Sequence, residues 1–141
     1  MTDLNALLDR VRSATGPDRD LDAAVMALSY TQDERHIGAV MEYSDGSEER
    51  VKDLVWVDPK TDKWVSTSAH SFTASIDAAL ALTERVLPGW GVYFRRDKET
   101  TGAGMLLPDH FRVTPAHEEA ATLPLAILAA TLSALIAKET Q

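Results

Sequence analysis

Two short segments carry residue types that could recognise a nucleotide. The first, His70-Ser71-Phe72-Thr73-Ala74-Ser75, opens a predicted helix, and the free N–H groups at a helix N-terminus can hold a phosphate. Thr73 and Ser75 would add hydroxyl donors, and Phe72 would offer a ring face to a base. The same residues also fit an ordinary capped helix in which Phe72 packs as a hydrophobic staple.

The second segment is the predicted strand 90–96, in which the apolar Trp90, Val92 and Phe94 alternate with Gly91, Tyr93 and Arg95. Arg95 and Arg96 could pair with phosphate through their planar guanidinium groups, and Trp90 or Tyr93 could stack on a base. Alternation places Tyr93 and Arg95 on the face opposite Phe94, and an ordinary polar outer face would show the same pattern. The candidate ligand-binding residues are therefore Phe72, Thr73, Ser75, Trp90, Tyr93, Arg95 and Arg96.

The sequence contains no recognisable catalytic or metal-binding motif. Cysteine is absent, the four histidines are not spaced as zinc ligands, and no G-x-S-x-G occurs. Gly102-Ala103-Gly104 lacks the Gly-Lys-Ser/Thr ending of a phosphate-binding P-loop. We therefore predict no catalytic residue, no metal and no cofactor, so that the protein is not expected to be an enzyme.

Composition narrows the class of partner. The chain has 141 residues, of which 45% are hydrophobic, and this suits one domain spanning residues 1–141. A formal charge of −8 disfavours binding to DNA or RNA polymers. Residues 50–114 carry nine bases and eight acids, so an anionic ligand is expected on this central segment. The absence of cysteine fits a reducing cytosol, and the N-terminus lacks the apolar run of a signal peptide.

Four helices and several antiparallel strands are expected to position the candidate residues. Helices are predicted after an Asp3 cap to Ser13, after an Asp18 cap to about Leu28, within 70–87 after a Thr73 or Ser75 cap, and from Leu123 to about Lys138. Strands are predicted at 37–43, 50–57, 64–68, 90–96, 105–107 and 111–113, with loops at 29–36 and 98–104. The last helix is apolar around most of its circumference, which predicts a core position rather than a membrane span. The fold class is α+β, an antiparallel sheet packed against about four helices.

Three blocks of sequence follow one another in a familiar order. They are Ala14–Ala24, then Phe72–Leu82 with Leu87-Pro88-Gly89-Trp90, and finally Glu119–Leu128. This order resembles the phage ABA-sandwich domain family of small phage and prophage proteins. Residues 30–70 look longer and more charged than the family pattern, and Leu123 is an additional residue before Pro124. The resemblance implies a phage-encoded domain with helices flanking a sheet.

The resemblance leads to two functional hypotheses for a phage protein. Small phage proteins of similar size include sponges, so the first is an anti-defence protein that sequesters a cyclic nucleotide or cyclic ADP-ribose-type immune signal without cleaving it. It would act in the host cytosol as a homo-oligomer, with the last helix building the subunit interface. The alternative is a non-enzymatic accessory protein that binds a protein partner through an exposed apolar patch. A third hypothesis, a phosphodiesterase-like hydrolase, would need a metal or a base near Thr73.

Overall fold

A computed structural model of the chain describes residues 3–108 and 113–139, with the side chains of 113–116 outside the description. The chain divides into two compact units, residues 1–28 with 70–141 (the helical unit) and residues 29–69 (the hairpin unit). The described residues form four helices and two three-stranded antiparallel sheets. The predicted α+β class is therefore confirmed, with two small sheets where the prediction had one.

The helical unit contains all four helices of the described chain. Side chains of Asp3, Asp18 and Ser75 cap the first three by accepting hydrogen bonds from backbone N–H groups two or three residues inside each helix. These local signals explain why the predicted helices are confirmed. The bounds are α1 (Leu4–Ser13), α2 (Arg19–Met26), α3 (Ile76–Val86) and α4 (Leu123–Glu139).

The helix predicted within residues 70–87 is confirmed with Ser75, one of its two predicted caps, as the N-cap, and residues 70–75 before the helix form a turn. The Thr73 N–H donates to the Asp22 carboxylate at 2.7 Å, and the Ala74 and Ser75 N–H groups donate to the Ser71 carbonyl. These bonds hold the segment in a turn, so that the helix starts only at Ile76. The sequence did not reveal the turn because Asp22 lies 51 residues from Thr73.

One sheet of the helical unit consists of β4 (Gly91–Arg96), β5 (Thr101–Leu106) and β6 (Val113–Glu119), in that order. The predicted strand at 90–96 is confirmed, whereas residues 101–104, predicted as part of a turn, belong to β5. The predicted strand at 111–113 begins outside the described residues. Helix α4 packs against β5, β6, α1 and α3, and its residues 125–132 are all buried. The prediction of a central core helix is therefore confirmed.

The hairpin unit is a sheet of β1 (Thr31–Glu42), β2 (Glu48–Asp58) and β3 (Lys63–Ser66), in that order. The predicted turn around Asp45-Gly46 joins β1 to β2, and Gly46 has a φ of 84° that favours glycine. The loop predicted over 29–36 is wrong, because Thr31–His36 pair with Lys52–Val57 of β2. This polar half of β1 lacks apolar alternation since its side chains are mostly exposed.

The turn between β4 and β5 is organised by one carboxylate, that of Asp97. Its Oδ1 accepts hydrogen bonds from the N–H groups of Glu99 at 2.9 Å and Thr100 at 2.8 Å, and from the Thr100 hydroxyl at 3.0 Å. The backbone bond from Glu99, followed by those from Thr100, lowers the pKa of the Asp97 carboxyl below its ordinary value. Because the folded-state pKa is the lower one, the stabilisation is present above the unfolded pKa and is lost as pH falls through the folded pKa.

We expect the Asp97 carboxyl carbon to titrate at a lower pH in the folded protein than in a peptide spanning residues 94–103. A carbon-13 NMR titration of both samples measures this difference directly. Thr100→Ala removes only the hydroxyl bond, so its midpoint should lie between those of the folded protein and the peptide. Equal midpoints for the folded protein and the peptide would contradict the assigned hydrogen bonds.

Candidate functional site

The seven predicted ligand-binding residues occupy two separate segments of the helical unit. Phe72, Thr73 and Ser75 lie in the turn before α3 and at its cap, while the other four lie in β4 or just before it. The two groups differ in their contacts, because the first is engaged in the fold and the second includes the exposed Arg95.

The first group is engaged in folding contacts. Phe72 is only 2% exposed, and its ring lies 5.7 Å from that of His70 between centroids. Thr73 is buried, its Oγ1 accepts from the Asp18 N–H at 2.9 Å, and Ser75 Oγ accepts from the Ala78 N–H at 3.2 Å. These contacts correspond to the capped-helix interpretation of the segment, and a base could reach the Phe72 ring only after the turn had opened.

Asp22 is the residue that organises this turn, and sequence reasoning missed it. Its carboxylate is 1% exposed, accepts from the Thr73 N–H through Oδ1 at 2.7 Å and pairs through Oδ2 with Arg19 Nη1 at 2.8 Å. Arg19 Nη1 also donates to Ser71 Oγ at 3.3 Å. Asp22 lies in the sequence block Ala14–Ala24 and Thr73 in the block Phe72–Leu82. The hydrogen bond between them stabilises the fold and thereby gives both of these blocks a structural role.

The second group includes a tyrosine that lies flat on a neighbouring glycine. Tyr93 of β4, Gly104 of β5 and His117 of β6 form one cross-strand row. A Cβ atom at residue 104 would overlap the Tyr93 ring, and one at Gly102 would come within 3.0 Å of His117 Cε1. The two rings are 5.9 Å apart between centroids and inclined by 9°. This surface, formed by Tyr93, Arg95, Gly102, Gly104 and His117, is termed the Tyr93–His117 face.

The polar groups of this face are arranged in rows set by the sheet. The Tyr93 hydroxyl lies 3.3 Å from His117 Nδ1, and when the hydroxyl donates, the imidazole proton is on Nε2. Arg95, Gly102 and Glu119 form the next cross-strand row. Arg95 is exposed and forms no ion pair among the described residues, although Asp97 is close enough to feel its charge. A flat ring surface, an N–H donor and a cation therefore lie side by side.

Arg95 and Arg96 do not act on the same side of the sheet. Consecutive strand residues point to opposite faces, so Arg96 lies on the face of Phe94 and Ala103, whereas Arg95 lies with Tyr93. Trp90 precedes β4 and is half-buried, and its backbone N–H donates to the Leu87 carbonyl at 3.2 Å. The structure therefore brings Tyr93 and Arg95 together and adds His117, which no local sequence pattern connects with β4.

The hairpin unit exposes several large apolar side chains. Met41 is 51% exposed, and Val40 and Tyr43 beside it are also exposed. The Tyr43 hydroxyl donates to Glu49 Oε2 at 2.7 Å, and this bond raises the pKa of Tyr43. A depression of about 650 Å³ is lined by Glu34, His36, Met41, Tyr43, Glu48, Glu49, Arg50, Val51 and Lys52. Met41 and Tyr43 with this depression are termed the hairpin patch, whereas Val40 lies on the opposite face of β1.

The β1–β2 turn beside the hairpin patch is acidic. Residues 42–49 contain four acids, Glu42, Asp45, Glu48 and Glu49, and no lysine or arginine. Arg50 and Lys52 supply the basic side chains of the depression itself. The apolar side chains of the patch are thus bordered at the β1–β2 turn by an acidic segment.

Metal sites and membrane-spanning helices are two further features to consider in the described residues. Within residues 3–108 and 117–139, no group of three or more His, Asp or Glu side chains is placed to hold a metal ion. No helix in the part of the chain that the structure describes has both the length and the apolar character needed to cross a membrane.

Comparison of the chain with protein-family models, curated proteins and solved structures finds no match, so the resemblance to the phage ABA-sandwich domain family stays a prediction.

Proposed function

We propose that this is a non-enzymatic binding protein whose hairpin patch holds a protein partner. The observation that carries the proposal is the exposure of Met41 and Tyr43 together on one face at the end of β1, beside the depression that they line. Contiguous exposed apolar side chains of this kind are typical of protein interaction sites. Covering them with a partner removes apolar surface from water, which is favourable in proportion to the area buried.

The charge beside the patch indicates the chemistry of the partner. Four acids and no base over residues 42–49 favour a partner with lysine or arginine around an apolar contact surface. A second copy of the chain would bring the same acidic segments together, which is unfavourable. Helix α4 offers little alternative surface for self-association, because its residues 125–132 are buried within one chain. Homo-oligomerisation remains a prediction.

A titration with two designed peptides tests this proposal. One peptide alternates valine with lysine and the other alternates valine with glutamate, and amide NMR shifts of the labelled protein are recorded for both. We expect the lysine peptide to shift the amides of residues 40–49, with binding that weakens as salt is added. Replacing Met41 and Tyr43 together by serine should weaken this binding by at least about tenfold, because two large apolar contacts are lost.

The matched control is Val65→Ser, which removes an exposed apolar side chain of β3 outside the patch and should leave the affinity within about twofold. Equal binding of both peptides, or of neither, would refute a basic partner. Light scattering of the protein alone completes the test. A dimer that the Met41 and Tyr43 double substitution dissociates would identify a second copy as the occupant instead.

Sequestration of a nucleotide signal, as an anti-defence protein would perform it, is the second proposed function. The observation in its favour is the Tyr93–His117 face with the exposed Arg95 beside it. Phe72, Thr73 and Ser75 contribute less to this proposal than the sequence suggested, because their groups are engaged in the turn before α3. Under this proposal the ligand is held without bond cleavage, since no catalytic group is assigned to the face.

A further inference from the structure

The glycines of β5 give the Tyr93–His117 face its shape. Gly102 lies under the His117 ring and Gly104 lies under the Tyr93 ring. A Cβ atom at residue 104 would overlap the Tyr93 ring, and one at residue 102 would come unusually close to the His117 ring. Both ring residues are half-buried, because one side of each ring rests on a glycine. The 9° angle between the rings makes their planes nearly parallel. A planar ligand that stacks on one ring is therefore also parallel to the other, without reorientation of either ring.

The row next to the rings supplies groups for an anion. Arg95 lies in the same row as Gly102, and His117 Nε2 is 3.2 Å from the position of a Cβ on that glycine. An arginine fork can hold two oxygens of one phosphate, and the Nε2 proton would provide a further donor. Glu119 occupies the far side of this row, where a carboxylate accepts from sugar hydroxyls and repels a second phosphate.

We propose that the Tyr93–His117 face binds a nucleoside monophosphate unit, with its base on the two rings and its phosphate on Arg95. The proposal rests on the second proposed function, nucleotide sequestration, and is independent of the hairpin patch. It assigns the phosphate to Arg95 and excludes Arg96, which lies on the opposite face of β4. Aromatic stacking tolerates any base, so the phosphate and the flat ring are the features recognised.

An NMR titration with AMP, adenosine and ribose 5-phosphate tests the site. We expect AMP to shift the amide signals of Gly102 and Gly104, and to bind more tightly than either fragment, because only AMP engages both the rings and Arg95. Arg95→Gln should weaken AMP binding by about tenfold, the effect of losing one charge-assisted phosphate contact. Arg96→Gln removes the same charge one residue away and should change the affinity by less than about twofold.

Gly104→Ala supplies a second, independent variant. Its methyl group would displace the end of the Tyr93 side chain, so AMP binding should fall while the far-ultraviolet circular dichroism of the protein is kept. Equal losses in Arg95→Gln and Arg96→Gln would show that only net charge matters and would overturn the site. Unchanged binding in Gly104→Ala would overturn the role of the rings, leaving strand packing as the purpose of the Tyr93–Gly104 contact.

A thermal-shift series with cyclic dinucleotides, cyclic trinucleotides and cyclic ADP-ribose separates this site from the function on which it rests. A shift that Arg95→Gln abolishes supports both. A shift that persists in Arg95→Gln and Gly104→Ala means that the protein binds nucleotides elsewhere, which refutes the site and keeps the function. No shift with any of these ligands, together with no AMP binding, refutes both.

Discussion

Replacing Leu128 with alanine is expected to lower the free energy of unfolding by about 3–5 kcal/mol. Leu128 is 1% exposed and lies in the middle of α4, which contacts two other helices and two strands. The lost free energy has two parts: the hydrophobic stabilisation of the apolar atoms that are removed, and the cost of the cavity that they leave behind. Helix propensity does not contribute to the loss, because alanine is the strongest helix former. Urea denaturation followed by circular dichroism measures the change.

The matched control applies the same chemical change at a surface position. Leu54 of β2 is 54% exposed, and Leu54→Ala should change the free energy of unfolding by no more than about 0.5 kcal/mol. Similar losses at Leu128 and Leu54 would contradict the placement of α4 in the core.

Replacing Asp22 with alanine is expected to cost about 2–4 kcal/mol of stability, the second largest effect. The substitution leaves the Thr73 N–H without its acceptor in a buried position and removes the carboxylate that pairs with the Arg19 guanidinium. Asp22→Asn retains an oxygen that can accept from Thr73 and should therefore cost only about 1 kcal/mol. Denaturation of the two variants side by side measures the difference.

Arg19→Gln completes this comparison, because it removes the charge partner and keeps the Asp22–Thr73 hydrogen bond. The Arg19 side chain is 57% exposed, so the ion pair is screened by solvent and its loss should cost less than about 1 kcal/mol. If Asp22→Asn proves as destabilising as Asp22→Ala, the charge of Asp22 matters more than its bond to Thr73. That result would contradict the role assigned to the turn.

The residues that stabilise the fold differ from those proposed to bind a partner or a ligand. The buried side chains of α4 and the Asp22–Thr73 contact belong to the helical unit, whereas Met41 and Tyr43 are exposed on the hairpin unit. Arg95 is also exposed and forms no ion pair within the described residues. Variants at these exposed positions should therefore lose binding without losing the fold, so the binding tests can be interpreted directly.

Local sequence signals were sufficient for the helices and for one turn. Asp3, Asp18 and Ser75 each accept a hydrogen bond from the first turn of the helix that follows, and a cap needs only residues close in sequence. The apolar residues of α4 surround the helix, which by itself predicts burial on several sides. Asp45-Gly46 marked the β1–β2 turn because glycine adopts the positive φ found there.

Strand pairing and side-chain burial depend on residues far apart in the chain, so only the tertiary structure decided them. Thr31–His36 is a strand only because β2 pairs with it, and the glycines of β5 stay in a strand with Tyr93 and His117 covering them. Phe72 was assigned to a ligand site from its neighbours in sequence, yet the structure buries its ring.

The composition of the candidate site shows the same division. Strand alternation predicted that Tyr93 and Arg95 share a face, because side-chain direction along one strand is a local property. The pairing of that face with His117 depends on the register of three strands, and register is set by the packing of the whole sheet. The sequence alone therefore determined that Tyr93 and Arg95 share one face of a strand, and the tertiary structure decided that His117 lies beside them.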